Sequence, residues 1–285
     1  MAVCGRFAPS PTGPLHLGNA RTALLAHRHA RDRNGRFLLR IDDLDPERSK
    51  RDFALSALAD LAWLGLSWDA PPIWQSERRA AYEAAFQKLL AAELAYPCFC
   101  SRAEIARAAS APHGATDEGP RYGGTCAQLS MAQRTERTRA RKPAYRFRVP
   151  PGPVTFVDSV HGPFSDDVSQ SVGDFVVQRA DGVASYQLAT VVDDAESGVT
   201  HVIRGDDLLA STTRQLLLYQ ALGLTPPRFG HLPLLMGPDG QRLAKRTQGL
   251  TVREYRERGV SPQRLTTWLE EPHPSWPEVL ALLPK

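Results

Sequence analysis

Three groups of residues in this chain have the types and spacing that chemistry needs. The first is Arg6-Phe7-Ala8-Pro9-Ser10-Pro11-Thr12-Gly13-Pro14-Leu15-His16-Leu17-Gly18-Asn19, which passes from an apolar run through a Pro/Gly-rich turn into a helical pattern. A helix start offers backbone N–H groups without intrahelical partners and a partial positive charge, so phosphates can settle on it. His16 stands where its imidazole can donate to a phosphate oxygen, and Gly18 leaves room for a nucleotide against the helix start. The second group is Cys98-Phe99-Cys100 with Tyr122-Gly123-Gly124-Thr125-Cys126. Three thiolates and one further ligand make a closed, structural zinc site, while buried free cysteines are the alternative. His113, in the stretch between them, competes as a fourth ligand. The third group is Arg242-Leu243-Ala244-Lys245-Arg246 after the turn Met236-Gly237-Pro238-Asp239-Gly240, which taken alone also fits a solvated basic loop.

The elements that must position these groups can be read from periodicity. Residues 3–8 and Phe37–Ile41 read as buried strands, with a helix from Leu17 to about Asn34 between them and Gly35 as its C-cap. Strand, loop, helix and strand in this order form a βαβ unit, which favours a parallel sheet with its ligand at the carboxyl ends of the strands. Helical stretches follow at 51–66 and 77–94. The segment 96–126 holds the paired cysteines and a small-residue tract, 108–119, read as a flexible surface insertion, whereas Cys4 reads as a small core residue of the first strand. A basic helix-like run spans Arg134 to Arg148, with six arginines and Lys142 against Glu136; a solvated helix face and a nucleic-acid contact explain it equally well. Phe175–Val192 reads as two strands joined at Asp181-Gly182, His201–Arg204 as a strand, and Thr212–Leu222 as a helix. Asp42-Asp43 can cap the helix that follows, a role that suits Asp43 better than Asp42.

Composition removes several classes of function. The chain has 285 residues, enough for one large or two moderate domains, and 42% of them are hydrophobic. Its longest apolar runs are a few residues, far short of the roughly 20 needed to cross a bilayer, and the first residues carry no apolar signal segment, so a cytosolic protein is expected. Four cysteines are too few for a disulfide scaffold, and a net charge of +4 permits an anionic partner without requiring one.

The first loop resembles the HIGH motif of class I aminoacyl-tRNA synthetases, and Arg6-Phe7-Ala8-Pro9-Ser10-Pro11-Thr12-Gly13 resembles the form found in glutamyl-tRNA synthetases. Arg242–Arg246 then resembles the KMSKS loop of that class, with Ala244 and Arg246 in place of the usual serines. The resemblance implies an α/β fold: a Rossmann-like parallel sheet with an inserted zinc-containing subdomain and a short helical C-terminus. It implies a catalytic domain over 1–250, interrupted by a zinc-containing and tRNA-contacting insertion over 96–172, then a short helical segment over 251–285 and no anticodon-binding domain. In it His16 and Lys245 are catalytic, and ATP, arriving with Mg²⁺, lies on His16, Gly18, Asn19 and Lys245 with its adenine toward Gly205-Asp206-Asp207. L-glutamate lies among Arg6, Ala8, Ser10, Asp42, Tyr186 and Arg204. Asp42 stands where the family has a glutamate, one methylene longer. Arginine suits a carboxylate because its planar fork makes two parallel charge-assisted bonds. Zn²⁺ is held by Cys98, Cys100, Tyr122 and Cys126. Within this family the chain resembles the short glutamyl-Q tRNA(Asp) synthetases, which implies a monomer that activates glutamate without tRNA. Glutamate then passes to queuosine in the anticodon stem-loop of tRNA(Asp), for which the basic run is a candidate contact. Two alternatives stay open: a truncated glutamyl-tRNA synthetase charging the 3′ end of tRNA(Glu), and a synthetase-like RNA-binding module without turnover.

Overall fold

Cys4-Gly5-Arg6-Phe7 and Phe37-Leu38-Leu39-Arg40-Ile41 are buried throughout, the pattern of strands covered on both faces. In the computed structural model, which describes residues 2–108, 120–237 and 251–272, they form β1 (Cys4–Phe7) and β2 (Arg36–Ile41). The two strands run parallel, with Arg6 beside Leu38, and are joined by α1 (Leu17–Arg31). Next come α2 (Arg51–Trp63), β3 (Ile73–Trp74) and α3 (Arg79–Ala91). The chain then leaves this sheet through β4 (Ala95–Cys98), α4 (Arg102–Ala108), α5 (Met131–Ala140), β5 (Ala144–Phe147), β6 (Val154–Asp158), β7 (Gly162–Asp166), α6 (Val168–Ser171) and β8 (Val176–Gln178). It returns through α7 (Tyr186–Glu196), β9 (His201–Gly205), α8 (Leu209–Ala221) and β10 (Arg228–Leu232).

The strand order β10-β9-β1-β2-β3 gives a five-stranded parallel sheet. Its strands come from 4–74 and 201–232; the residues between supply the antiparallel sheet β4-β5-β8 and the hairpin β6-β7. Successive strands are added on one side of β1 and later ones on the other, so β1 and β9 flank a topological switch point. A crevice opens at the carboxyl ends of such strands. Finally α9 (Val252–Glu257) and α10 (Pro262–Glu270) bury Val252, Tyr255, Leu265 and Leu269 in the same core as Leu17 and Leu61. No helix among the described residues is long and apolar enough to cross a membrane.

Local chemistry differs from the sequence reading in four places. Asn34, not Gly35, takes the left-handed conformation after α1 (φ 52°). Gly35 is needed for close approach, because a Cβ there would lie 2.6 Å from Val3 O. The Asp181-Gly182 turn forms, with Arg179 N donating to Val183 O at 2.8 Å, but its second arm is the helix α7 instead of a strand. Ser185 caps that helix by accepting from Leu188 N, and Leu188, Val191 and Val192 bury at helical spacing despite their β-branched content. The basic run is half helix and half strand. Pro143 disfavours helix at the residue before it, so α5 stops and β5 begins at Ala144, carrying Arg146 into the molecule. Finally, Asp43 does not cap α2; its carboxylate accepts from Ser76 N at 2.8 Å and Ser76 Oγ at 2.7 Å.

Candidate active site and metal cluster

One cleft at the carboxyl ends of β1 and β9 is lined by Arg6, Ala8, His16, Gly18, Asn19, Tyr186 and Arg204, with Gly205 and Asp207 on one side. Ser10 and Asp42 line an adjoining cleft instead, and Tyr186 faces both. His16 is the N-cap of α1, and its Nδ1 accepts from Asn19 N at 3.2 Å. An accepting Nδ1 carries no proton, so the imidazole N–H is on Nε2, the nitrogen able to donate to a phosphate.

The floor of the site is a buried charge network. Arg6 donates through Nε and Nη2 to the two carboxylate oxygens of Asp194 at 3.2 and 3.3 Å. Arg40 donates to Asp194 Oδ1 at 2.5 Å and Asp42 Oδ1 at 2.7 Å, and lies 3.5 Å from Asp193. Asp193 also accepts from Arg78, Gln75 and Tyr82. Burial opposes ionisation of Asp194, but the Arg6 and Arg40 guanidiniums outweigh it and hold its carboxyl below the usual range. Burial raises Asp42 in spite of Arg40, which already holds one of its oxygens.

Arg204 is arranged differently. It is 4% exposed, donates through Nε to His231 Nε2 at 3.0 Å and through Nη2 to Thr212 Oγ1 at 2.8 Å, and has no acidic ion-pair partner among the described residues. Its Nη1 is buried without an acceptor among the described residues. Burial lowers the guanidinium pKa. A buried cation lacking a counterion is costly unless something supplies the anion, and a carboxylate from a ligand meets that need.

Arg242, Ala244, Lys245 and Arg246 lie outside the described residues. The residues on either side of that segment do reach the cleft: Pro233, Leu234 and Leu235 line it, Thr251 bridges His16, and Val252 N donates to Leu15 O at 2.9 Å.

The family model for the catalytic domain of class I tRNA synthetases (E and Q) matches residues 2–271. The chain belongs to that family. It is 52% identical to a glutamyl-Q tRNA(Asp) synthetase of Symbiobacterium thermophilum over 98% of this chain and 91% of that protein. It is 45% identical to a glutamate–tRNA ligase of a Synechococcus species over 94% of this chain but 56% of that protein. Among solved structures, the glutamate-tRNA synthetase of Elizabethkingia anophelis superposes with a TM-score of 0.80 at 31% identity, covering 94% of this chain and 61% of that one. As a family member the chain is a ligase-type synthetase, built on the Rossmann-like parallel sheet described above.

A second constellation lies in the segment between β3 and β9. The Sγ atoms of Cys98, Cys100 and Cys126 all fall within 4.8 Å of one another. The Tyr122 hydroxyl is 3.4 Å from Cys98 Sγ and accepts from Cys126 N at 2.8 Å. Three soft sulfurs and one oxygen converging on a point fit a tetrahedral divalent metal. In that cluster burial and the neighbouring Cys98 thiol push Cys100 up to about 12, a cost that a bound cation removes by taking the thiolate. Arg146 is part of this group: its Nε donates to Cys98 Sγ at 3.3 Å and its guanidinium sits 3.9 Å from the Tyr122 ring centre. His113 lies outside the described residues, and Tyr122 is the fourth donor among those described.

Several site residues escaped the sequence reading. Arg40 is the one charge in the buried run Phe37–Ile41, and Asp193-Asp194 are adjacent carboxylates among the buried residues of α7; both are signals, because a charge in a core run needs a partner. His231 and Asp158 carry no such local signal, since each sits in an ordinary short strand.

Proposed function

We propose that this chain activates L-glutamate with ATP, without needing tRNA, and transfers the glutamyl group to queuosine in the anticodon of tRNA(Asp). The reading is carried by the likeness to glutamyl-Q tRNA(Asp) synthetases over nearly their whole length, 91% of the Symbiobacterium protein and 83% of one from Rhodopirellula baltica. The geometry supports it. Arg204 holds the side-chain carboxylate of glutamate, because a carboxylate clamped on a buried cation is a poor nucleophile and the other must stay free to react. That second carboxylate attacks the α-phosphate of ATP, whose phosphates lie over His16, Gly18 and Asn19. The His16 Nε2 proton and Lys245 meet the charge that grows on the leaving pyrophosphate. Arg6 and Tyr186 line the amino-acid side, and Ser10 and Asp42 meet it from the adjoining cleft. A queuosine hydroxyl then attacks the glutamyl carbonyl and AMP leaves.

The segment 96–172 is an insertion in which Cys98, Cys100, Tyr122 and Cys126 hold zinc in a structural role, with no ligand position left for chemistry. Arg137 and Arg139 on α5 offer exposed charge to an RNA backbone. The test is glutamate-dependent exchange of pyrophosphate into ATP without tRNA, followed by transfer of labelled glutamate to tRNA(Asp) lacking its 3′-terminal adenosine. Labelling that requires queuosine and survives loss of the 3′ end is expected. Labelling only of intact tRNA(Glu), the second reading favoured by the glutamate–tRNA ligase likeness, overturns the choice of acceptor. Absence of exchange overturns the enzyme reading.

A further inference from the structure

Arg204 and His231 face each other in register on neighbouring parallel strands, β9 and β10, so their side chains emerge on the same side of the sheet. An arginine Nε can only donate, so the His231 Nε2 that it meets at 3.0 Å must accept and carries no proton. The ring's proton is therefore on Nδ1, where Asp158 Oδ2 accepts it at 2.6 Å. The other Asp158 oxygen is filled by Val160 N, His161 N and His231 N at 2.9, 3.0 and 3.2 Å. Asp158 and His231 are both fully buried, and Phe156 and Phe229 pack against the imidazole, an apolar setting that opposes a second proton on it. Gly230 permits the approach of Asp158 to β10: a Cβ there would come within 2.4 Å of Ser159 Oγ.

We propose that Asp158 and His231 form a positioning pair that fixes the Arg204 guanidinium for a substrate carboxylate without neutralising it. Asp158 sets the tautomer, neutral His231 then takes the Nε proton, Thr212 takes Nη2, and Nη1 remains as the open donor. A carboxylate at position 231 would orient the guanidinium equally well but would pair with its charge and compete with the ligand. Neutral imidazole supplies direction without a counter-charge. The strand register extends the influence of the β6-β7 hairpin, from which Asp158 comes, to the amino-acid pocket.

This inference rests on the reading that Arg204 receives a glutamate carboxylate, and the experiment separates the two. His231→Asn keeps a donor toward Asp158 but is too short to accept from Arg204, His231→Gln restores an acceptor at greater reach, and Asp158→Asn frees the tautomer. Pyrophosphate exchange is measured across glutamate and ATP concentrations, with the melting temperature followed in parallel. His231→Asn and Asp158→Asn are expected to raise the KM for glutamate about tenfold or more with the KM for ATP within about twofold. His231→Gln should recover most of the loss. Equal changes in both KM values, unchanged glutamate KM in a folded His231→Asn, or no rescue by a folded His231→Gln overturns the positioning role. If either asparagine variant fails to fold, the other carries the same comparison. If Arg204→Met itself leaves the glutamate KM unchanged, the reading of the site fails; if Arg204→Met raises it and the His231 and Asp158 variants do not, the pair alone fails.

Discussion

The two arginines at the switch point, Arg6 on β1 and Arg204 on β9, are equally buried yet oppositely furnished. Arg6 and its neighbour Arg40 sit in a basin of carboxylates, Asp42, Asp193 and Asp194, whereas Arg204 is held by a histidine and a threonine. The first region is charge-satisfied before any ligand arrives and so serves as a rigid floor. The second keeps a buried cation without an acidic partner among the described residues, which costs stability but leaves affinity for an incoming anion. Stability and binding have been separated onto two strands of one sheet.

The comparison can be broken most forcefully at Asp194. Asp194→Asn strips Arg6 of its acidic partner and Arg40 of one of three, and should cost about 3–5 kcal/mol of folding free energy, read by chemical denaturation. A loss under about 1 kcal/mol would show that the floor is not held by its ion pairs. Arg204→Met is the mirror experiment: it removes a buried cation without a counterion, so stability should hold or rise, while the KM for glutamate in pyrophosphate exchange should climb about 100-fold, equivalent to about 3 kcal/mol. Destabilisation comparable to that of Asp194→Asn would erase the distinction between the regions.

Acidification gives a finer contrast. Burial and the Arg204 charge lower His231 to about 4, so between its ordinary pKa near 6.5 and 4 the unfolded chain binds the proton and the folded one does not. Its contribution is complete above about pH 6.5 and is lost as the pH falls toward 4, by at most about 3 kcal/mol. Asp60, beneath α9 with Arg256 at 3.1 Å, is raised by burial to about 6 and acts with the opposite sign, since its folded form binds the proton first. In denaturation curves from pH 7 to 4, His231→Gln should flatten the acid loss of stability and Asp60→Asn should steepen it. The same slope in all three proteins would contradict both assignments. At the far end of the scale, Cys98→Ser should release zinc, measured by metal analysis, while leaving part of the pyrophosphate exchange if the metal only braces the insertion.

The first half of the site was readable because its signals are local. A buried strand, a Pro/Gly turn and a helix start lie within one short stretch, and His16 indeed caps α1 within the cleft. Three cysteines and Tyr122 were readable because sulfur ligands declare themselves by residue type, and they do converge. Where tertiary contacts decide, the sequence said less. Val191 and Val192 favour strand by propensity, yet burial against α8 and the Ser185 cap make them helical. Arg146 looked like one more charge in a basic run, but Pro143 turned the chain into a strand that delivers it to Cys98. His231 acquires meaning only from the register of β10 against β9, which no short window of residues contains.

That register also sets an order of events during synthesis. β1 can pair with β2 once Ile41 has emerged, but its other edge waits for His201, about 160 residues later, with Thr200 N donating to Cys4 O at 2.9 Å. At about 5–20 residues per second the central strand keeps one open edge for roughly 8–30 seconds. The amino-acid pocket, which takes Arg204 from β9, therefore begins to form only when β9 closes the gap, and a chaperone that shields the edge of β1 would guard the substrate site before that site exists.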